Sequence, residues 1–241
     1  MKKFLTVLLA LAAGTAWANE AKIRSVLEPK LGGAKIEGVQ PAPTPGLWEV
    51  RFRTPEGMRL LYTDANASFV IQGHIFELAS GRDLTDERLR KLNAVKFESL
   101  PLDLAVKVQR GSGKRVLAMF SDPYCPACRK FEAELAQVDD ITIYVFMYPV
   151  IRPENANHSR AVWCSPDRAK AWLELAAAAR PKVPQALPTC ANPVDKLLEA
   201  GQRLGVNSTP TLFLANGERL TGGVAAGDLK DLLDRAAVAR R

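Results

Sequence analysis

The chain has 241 residues, 47% of them hydrophobic and 24% charged, and carries a formal net charge of +7. That length suits one large domain or two smaller ones. The basic excess is dispersed, with no run longer than three basic residues, so the concentrated patch that nucleic acid requires is lacking and no nucleic-acid partner is expected.

In chain order, residues 1–18 read as an export signal. Lys2 and Lys3 form a positive start, residues 4–13 are apolar except for Thr6, and Ala16-Trp17-Ala18 offers small residues at the two positions a signal peptidase inspects. The apolar run is too short to span a bilayer, so cleavage after Ala18 is expected rather than anchoring. Cleavage removes two lysines and no acids, lowering the formal charge from +7 to +5. Exported chains meet oxidising surroundings, and all four cysteines lie after residue 124, so disulfide chemistry is their expected use.

Residues 19–81 predict a small α+β unit. A helix over 21–31 stops at Gly32-Gly33. Trp48, Val50 and Phe52 then alternate with Glu49, Arg51 and Arg53, the period of a half-buried strand. Residues 58–63 and 68–78 give two further strands around a turn at 64–66. A core of this size is modest alone and leans on a partner. Residues 82–101 predict a helical linker, with Leu84, Leu89 and Leu92 as its apolar stripe.

From residue 102 to 241 the pattern becomes α/β. Residues 116–120 are a continuous apolar run, as in a strand covered on both faces. A helix begins at Cys125 and runs to about residue 138, and residues 141–147 form a second buried strand. A helical, Ala-rich insertion is expected over about 153–205, broken by Pro181, Pro184, Pro188 and Pro193. Asn216-Gly217 then joins two short strands as a hairpin, and an amphipathic helix over 228–239 ends the chain.

The chemistry is expected at Cys125-Pro126-Ala127-Cys128, between a buried strand and a helix. Free N–H groups and partial positive charge at a helix start stabilise a thiolate, which makes Cys125 the nucleophile. Pro126 suits the first turn, where its missing N–H costs nothing. Two-residue spacing lets Cys128 attack a mixed disulfide on Cys125 and release the substrate. A zinc knuckle is the competing use of such a pair. Cys164 and Cys190, however, are not closely spaced, and His158 is the sole histidine in this half. No metal or cofactor is therefore expected. Cys164 and Cys190 read as a structural disulfide inside the insertion, with a second redox pair or relay as the alternative. His74 and His158 read as surface or packing residues. Thr209-Pro210, directly before a strand, is similar to the cis-proline loop of thioredoxin-like proteins, which faces the active cysteines and pairs with substrate backbone.

Taken together, Phe120-Ser121-Asp122, the Cys125–Cys128 pair, Trp163-Cys164, Thr209-Pro210-Thr211, Leu214-Ala215-Asn216-Gly217, Tyr62-Thr63-Asp64 and Gln72-Gly73 resemble the DsbC/DsbG family of periplasmic disulfide isomerases. The resemblance covers essentially the whole mature chain. It implies a cystatin-like N-terminal dimerisation domain, a helical linker and a thioredoxin-like catalytic domain, assembled as a V-shaped homodimer. It further implies a periplasmic location, misfolded or misoxidised exported proteins as substrates, and a membrane thiol reductase of the DsbD type as electron donor. Pro126-Ala127 departs from the Gly-Tyr of typical DsbC, and Met119 stands six residues before Cys125, where thioredoxin and DsbA carry a buried carboxylate. The leading expectation is isomerisation of wrong disulfides; the alternative is a DsbG-like chaperone and reductase of single oxidised cysteines.

Overall fold

The computed structural model describes residues 19–55, 57–151, 154–178 and 189–239. The expected export signal, and Pro181, Pro184 and Pro188, lie outside them. The chain separates into two compact units, one ending at Leu92 and the other beginning at Asn93.

In the first unit, helix α1 (residues 19–27) is followed by strands β1 (Ile36–Pro41), β2 (Trp48–Thr54), β3 (Gly57–Thr63) and β4 (Val70–Ile71), which form an antiparallel sheet in that order. Ile23 and Leu27 of α1 cover one face by packing on Ile36, Val50 and Leu61. The strict alternation expected of β2 is broken at Glu49, which is 3% exposed. The reason is α2 (Leu84–Leu92), whose Arg88 reaches Glu49 at 3.2 Å while Thr85 bonds the Tyr62 hydroxyl at 2.6 Å. A buried charge survives because it is paired. The long strand expected over 68–78 is two short ones, β4 and β5 (Phe76–Glu77), the latter paired with β6 (Arg82–Asp83). Phe69, Val70, Ile71, Phe76 and Leu78 are exposed.

The second unit is a five-stranded sheet of β7 (Val106–Arg110), β8 (Arg115–Ser121), β9 (Ile141–Met147), β10 (Thr211–Leu214) and β11 (Arg219–Thr221), ordered β11-β10-β8-β9-β7. β8 and β9 run parallel, and the other pairs are antiparallel. Around it lie α3 (Pro126–Leu135), α4 (Asn155–Cys164), α5 (Arg168–Ala177), α6 (Val194–Arg203) and α7 (Ala226–Ala239). Strand pleat sorts the core into two layers. Leu117 and Met119 pack with Phe131, Leu135, Trp172 and Leu233, from α3, α5 and α7. Ala118 and Phe120 pack with Phe97, Leu100, Leu197 and Phe213 on the opposite side. Phe120 is fully buried and meets Phe146 at 4.7 Å between centroids, a burial that stabilises by about 3 kcal/mol. Residues 93–100 of the expected linker thus contribute to this core. They are tied down by Val95 N–H donating to Gly217 O at 3.0 Å; Gly217 has φ +85°, and a Cβ there would strike the Val95 carbonyl.

Candidate active site

Strand β8 delivers Ser121 and Asp122 to the carboxyl end of the parallel pair, where open α/β sheets place their sites. Asp122 is fully buried. Its Oδ1 accepts from Tyr124 N–H at 2.9 Å, and its Oδ2 from Val150 and Ile151 N–H at 2.8 and 2.9 Å. One carboxylate therefore shapes both the approach to Cys125 and the turn after β9. Cys125 N–H donates to Asp122 O at 3.0 Å, closing the turn that aims the thiol.

Cys125 is the N-cap of α3, in extended conformation, with Pro126 in the first turn. The fully buried Cys128 lies one turn in; Cys125 keeps 7% of its surface against 1% for Cys128. Both cysteines are thiols here. Register explains what meets them. β10 pairs with β8 so that Thr211 lies opposite Phe120, which carries Thr209-Pro210 to the end of β8. The Thr209–Pro210 peptide is cis. Across 84 residues of sequence, the Cys125 thiol donates to the Thr209 carbonyl at 3.2 Å.

The two thiols are driven apart electrostatically. Burial pushes Cys125 up, but the Thr209 hydroxyl, the Cys128 N–H and thiol and the Ala127 N–H outweigh it, so its pKa lies below the ordinary thiol value. Burial dominates at Cys128 and pushes it up to about 12, although the Asp122 N–H and the Thr209 and Ser121 hydroxyls pull the other way. The arrangement sets a more acidic thiol, Cys125, above a second thiol, Cys128, that is more sheltered and stays protonated.

Of the two uses expected for His158, surface or packing, the structure shows packing. His158 is 5% exposed, stacked on Tyr124 at 5.5 Å and 7°, and its Nδ1 is hydrogen-bonded to the Tyr124 hydroxyl. Burial lowers its pKa, which favours the neutral ring. Its neighbours on α4 gave no signal, because its partner lies 34 residues upstream. Cys164 and Cys190 form a disulfide with Cα atoms 5.8 Å apart, joining the end of α4 to the segment before α6. No helix among the described residues is long and apolar enough to cross a membrane.

Comparison with known proteins agrees with this geometry. Residues 102–237 match the thioredoxin-like domain model, and residues 14–86 match the disulfide bond isomerase N-terminal domain model. The chain is similar to the probable thiol:disulfide interchange protein DsbC of Bordetella avium strain 197N, 36% identical over 88% of this chain and 74% of that one. The corresponding Bordetella pertussis Tohama I protein is 39% identical over 77% of this chain, which spans 64% of that relative's length. Escherichia coli K12 DsbC is 28% identical over 97% of this chain and 96% of its own. Among solved structures, a disulfide interchange protein from Neisseria gonorrhoeae superposes with TM-score 0.53 and 37% identity, over 57% of this chain and 99% of that one. With a Cys-x-x-Cys helix start facing a cis-proline loop, and with models and relatives that agree along its length, this chain belongs to the DsbC family.

Proposed function

We propose that the chain is a periplasmic thiol–disulfide isomerase acting on wrongly bonded exported proteins. The observation that carries this reading is the opposed pair: Cys125 at the helix start with its pKa lowered, and Cys128 buried beneath it and pushed up to about 12. The Cys125 thiolate attacks a substrate disulfide; a Cys125–substrate bond forms and one substrate cysteine leaves as thiolate. That thiolate attacks another disulfide of the same substrate, and the rearranged chain finally displaces Cys125 unchanged. If rearrangement stalls, Cys128 attacks Cys125, frees the substrate and leaves a Cys125–Cys128 disulfide. Two electrons from a membrane dithiol reductase of the DsbD type then restore it. Thr209 and Pro210 hold the substrate backbone beside Cys125.

Residues 19–81 serve as the dimerisation domain and residues 102–241 as the catalytic domain. The apolar edge formed by Phe69, Val70 and Ile71 supports a homodimer, since such an exposed strand invites pairing. The test is reactivation of scrambled ribonuclease, together with acid-quenched alkylation of whole cells. We expect reactivation, its loss in Cys125→Ser, and mostly reduced Cys125 in cells. A Cys125 found chiefly oxidised, in a protein that only oxidises reduced ribonuclease, overturns the isomerase assignment.

A further inference from the structure

The exchange reading leaves one proton without a destination. Cys128 is 1% exposed and pushed up to about 12 by burial, so it is held as the protonated thiol near neutral pH. Strand β8 offers no base there, because Met119 occupies the position below α3 and is itself packed in the core. Asp122 is close to Cys128, but its oxygens already accept three backbone N–H groups.

Glu132 is placed differently. It follows Cys128 by four residues on α3, which puts the two side chains on one face, with Cβ atoms about 5–6 Å apart. Glu132 Oε1 is buried without a hydrogen-bond partner, and so are Arg110 Nε on β7 and Trp172 Nε1 on α5. A surface cleft of about 320 Å³ opens beside Glu132 and Arg110, lined also by Arg129, Leu173 and Ala176 among others. An ordered water needs two to four polar partners, and Glu132 Oε1 and Arg110 Nε supply two at the wall of this cleft. The charged groups facing the carboxyl are Arg110 from β7 and Arg129 from α3, while α5 presents Trp172, Leu173, Ala176 and Ala177. Burial pushes Glu132 up to about 7 against the pull of the Trp172 N–H and Arg110, although neither Oε1 nor Nε1 closes a bond of proper geometry.

We propose that Glu132 is the proton acceptor for Cys128, acting through water held between α3, β7 and α5; this rests on the dithiol reading above. In the resolving step the Cys128 proton passes through that water to the Glu132 carboxylate. The Cys128 sulfur attacks Cys125, the Cys125–Cys128 bond forms, and the Cys125–substrate bond breaks. The electron pair leaves with the substrate thiolate, which is protonated by solvent. When a dithiol reductase later attacks Cys125, Glu132 returns its proton to the departing Cys128. Because it acts through water, Glu132 is a positioning residue for Cys128.

The test mixes the reduced full chain with a dye-labelled peptide disulfide, quenches with acid at intervals and weighs the species from pH 5.5 to 9. In the parent protein the mixed disulfide should decay with a rate that rises through an inflection near pH 7. In Glu132→Gln the inflection should vanish and decay at pH 7.5 should slow by about tenfold or more. Glu132→Asp should retain part of the inflection. Cys125 alkylation by iodoacetamide should stay within about twofold in both variants. An unchanged inflection in Glu132→Gln, or uniform slowing at every pH, overturns the role of Glu132 and leaves the exchange reading intact. Absence of any Cys125–peptide adduct in the parent protein overturns both.

Discussion

Replacing Asp122 with alanine removes the acceptor for three backbone N–H groups that shape the loop before Cys125 and the turn after β9. A hydrogen bond to a charged group contributes about 1.5–3 kcal/mol, and an orphaned buried donor costs about 1–3 kcal/mol. Val150 and Ile151 are about half exposed, so water rescues part of the loss at two of the three donors. The full desolvation cost then applies chiefly at Tyr124, giving a destabilisation of about 3 kcal/mol for Asp122→Ala. Asparagine is a sharper test. Its oxygen can keep the Tyr124 bond, but its NH₂ then faces the Val150 and Ile151 donors, so Asp122→Asn should cost about 2 kcal/mol despite near-identical size. Urea unfolding of the C-terminal unit, followed by Trp163 and Trp172 fluorescence, measures the stability. Amide exchange at Tyr124, Val150 and Ile151 locates it. Cys125 alkylation should slow severalfold as the loop loosens. If Asp122→Ala lies within about 0.5 kcal/mol of the parent protein, with unchanged exchange at those three amides, Asp122 does not organise the site as argued.

Three further outcomes follow from other parts of the molecule. Replacing Cys164 and Cys190 with serine opens a loop of 26-residue separation and should cost about 3 kcal/mol; in graded dithiothreitol this bridge should outlast a Cys125–Cys128 bond, as mass mapping would reveal. His158 has a folded pKa below its unfolded value, so below about pH 6.5 the native state binds fewer protons than the unfolded state, and stability declines as pH falls there. Thermal melts of His158→Gln at pH 7.5 and pH 5 should therefore lack the His-linked part of that acid loss; an identical decline in both proteins would refute it. Charges placed on the exposed edge, as in Val70→Asp with Ile71→Lys, should shift sedimentation from dimer to monomer at micromolar concentration, and a persistent dimer would move the interface elsewhere.

Much of the molecule could be read locally. The apolar run of β8, the Cys125–Cys128 spacing at a helix start, the buried β9 and the Asn216-Gly217 hairpin each follow from neighbours a few residues apart. That range suffices for periodicity and capping to act. Strands β1 and β7 were not anticipated, because Ile36–Pro41 and Val106–Arg110 carry only two or three apolar residues each and owe their strand form to pairing with β2 and β9. Glu49 looked like a solvent-facing position until α2 supplied Arg88. The meeting of Cys125 with Thr209-Pro210 could be expected from family resemblance but not from local pattern, since it depends on the β8–β10 register. His158 against Tyr124, the three donors on Asp122, and Glu132 beside Arg110 and Trp172 were invisible for the same reason. The sequence determined which residue types the chemistry uses and which segments become strands and helices, because those choices are made by adjacent residues. Only the tertiary structure decided which polar groups lose water and which of them find partners, because burial and pairing are set by segments that are distant in the chain.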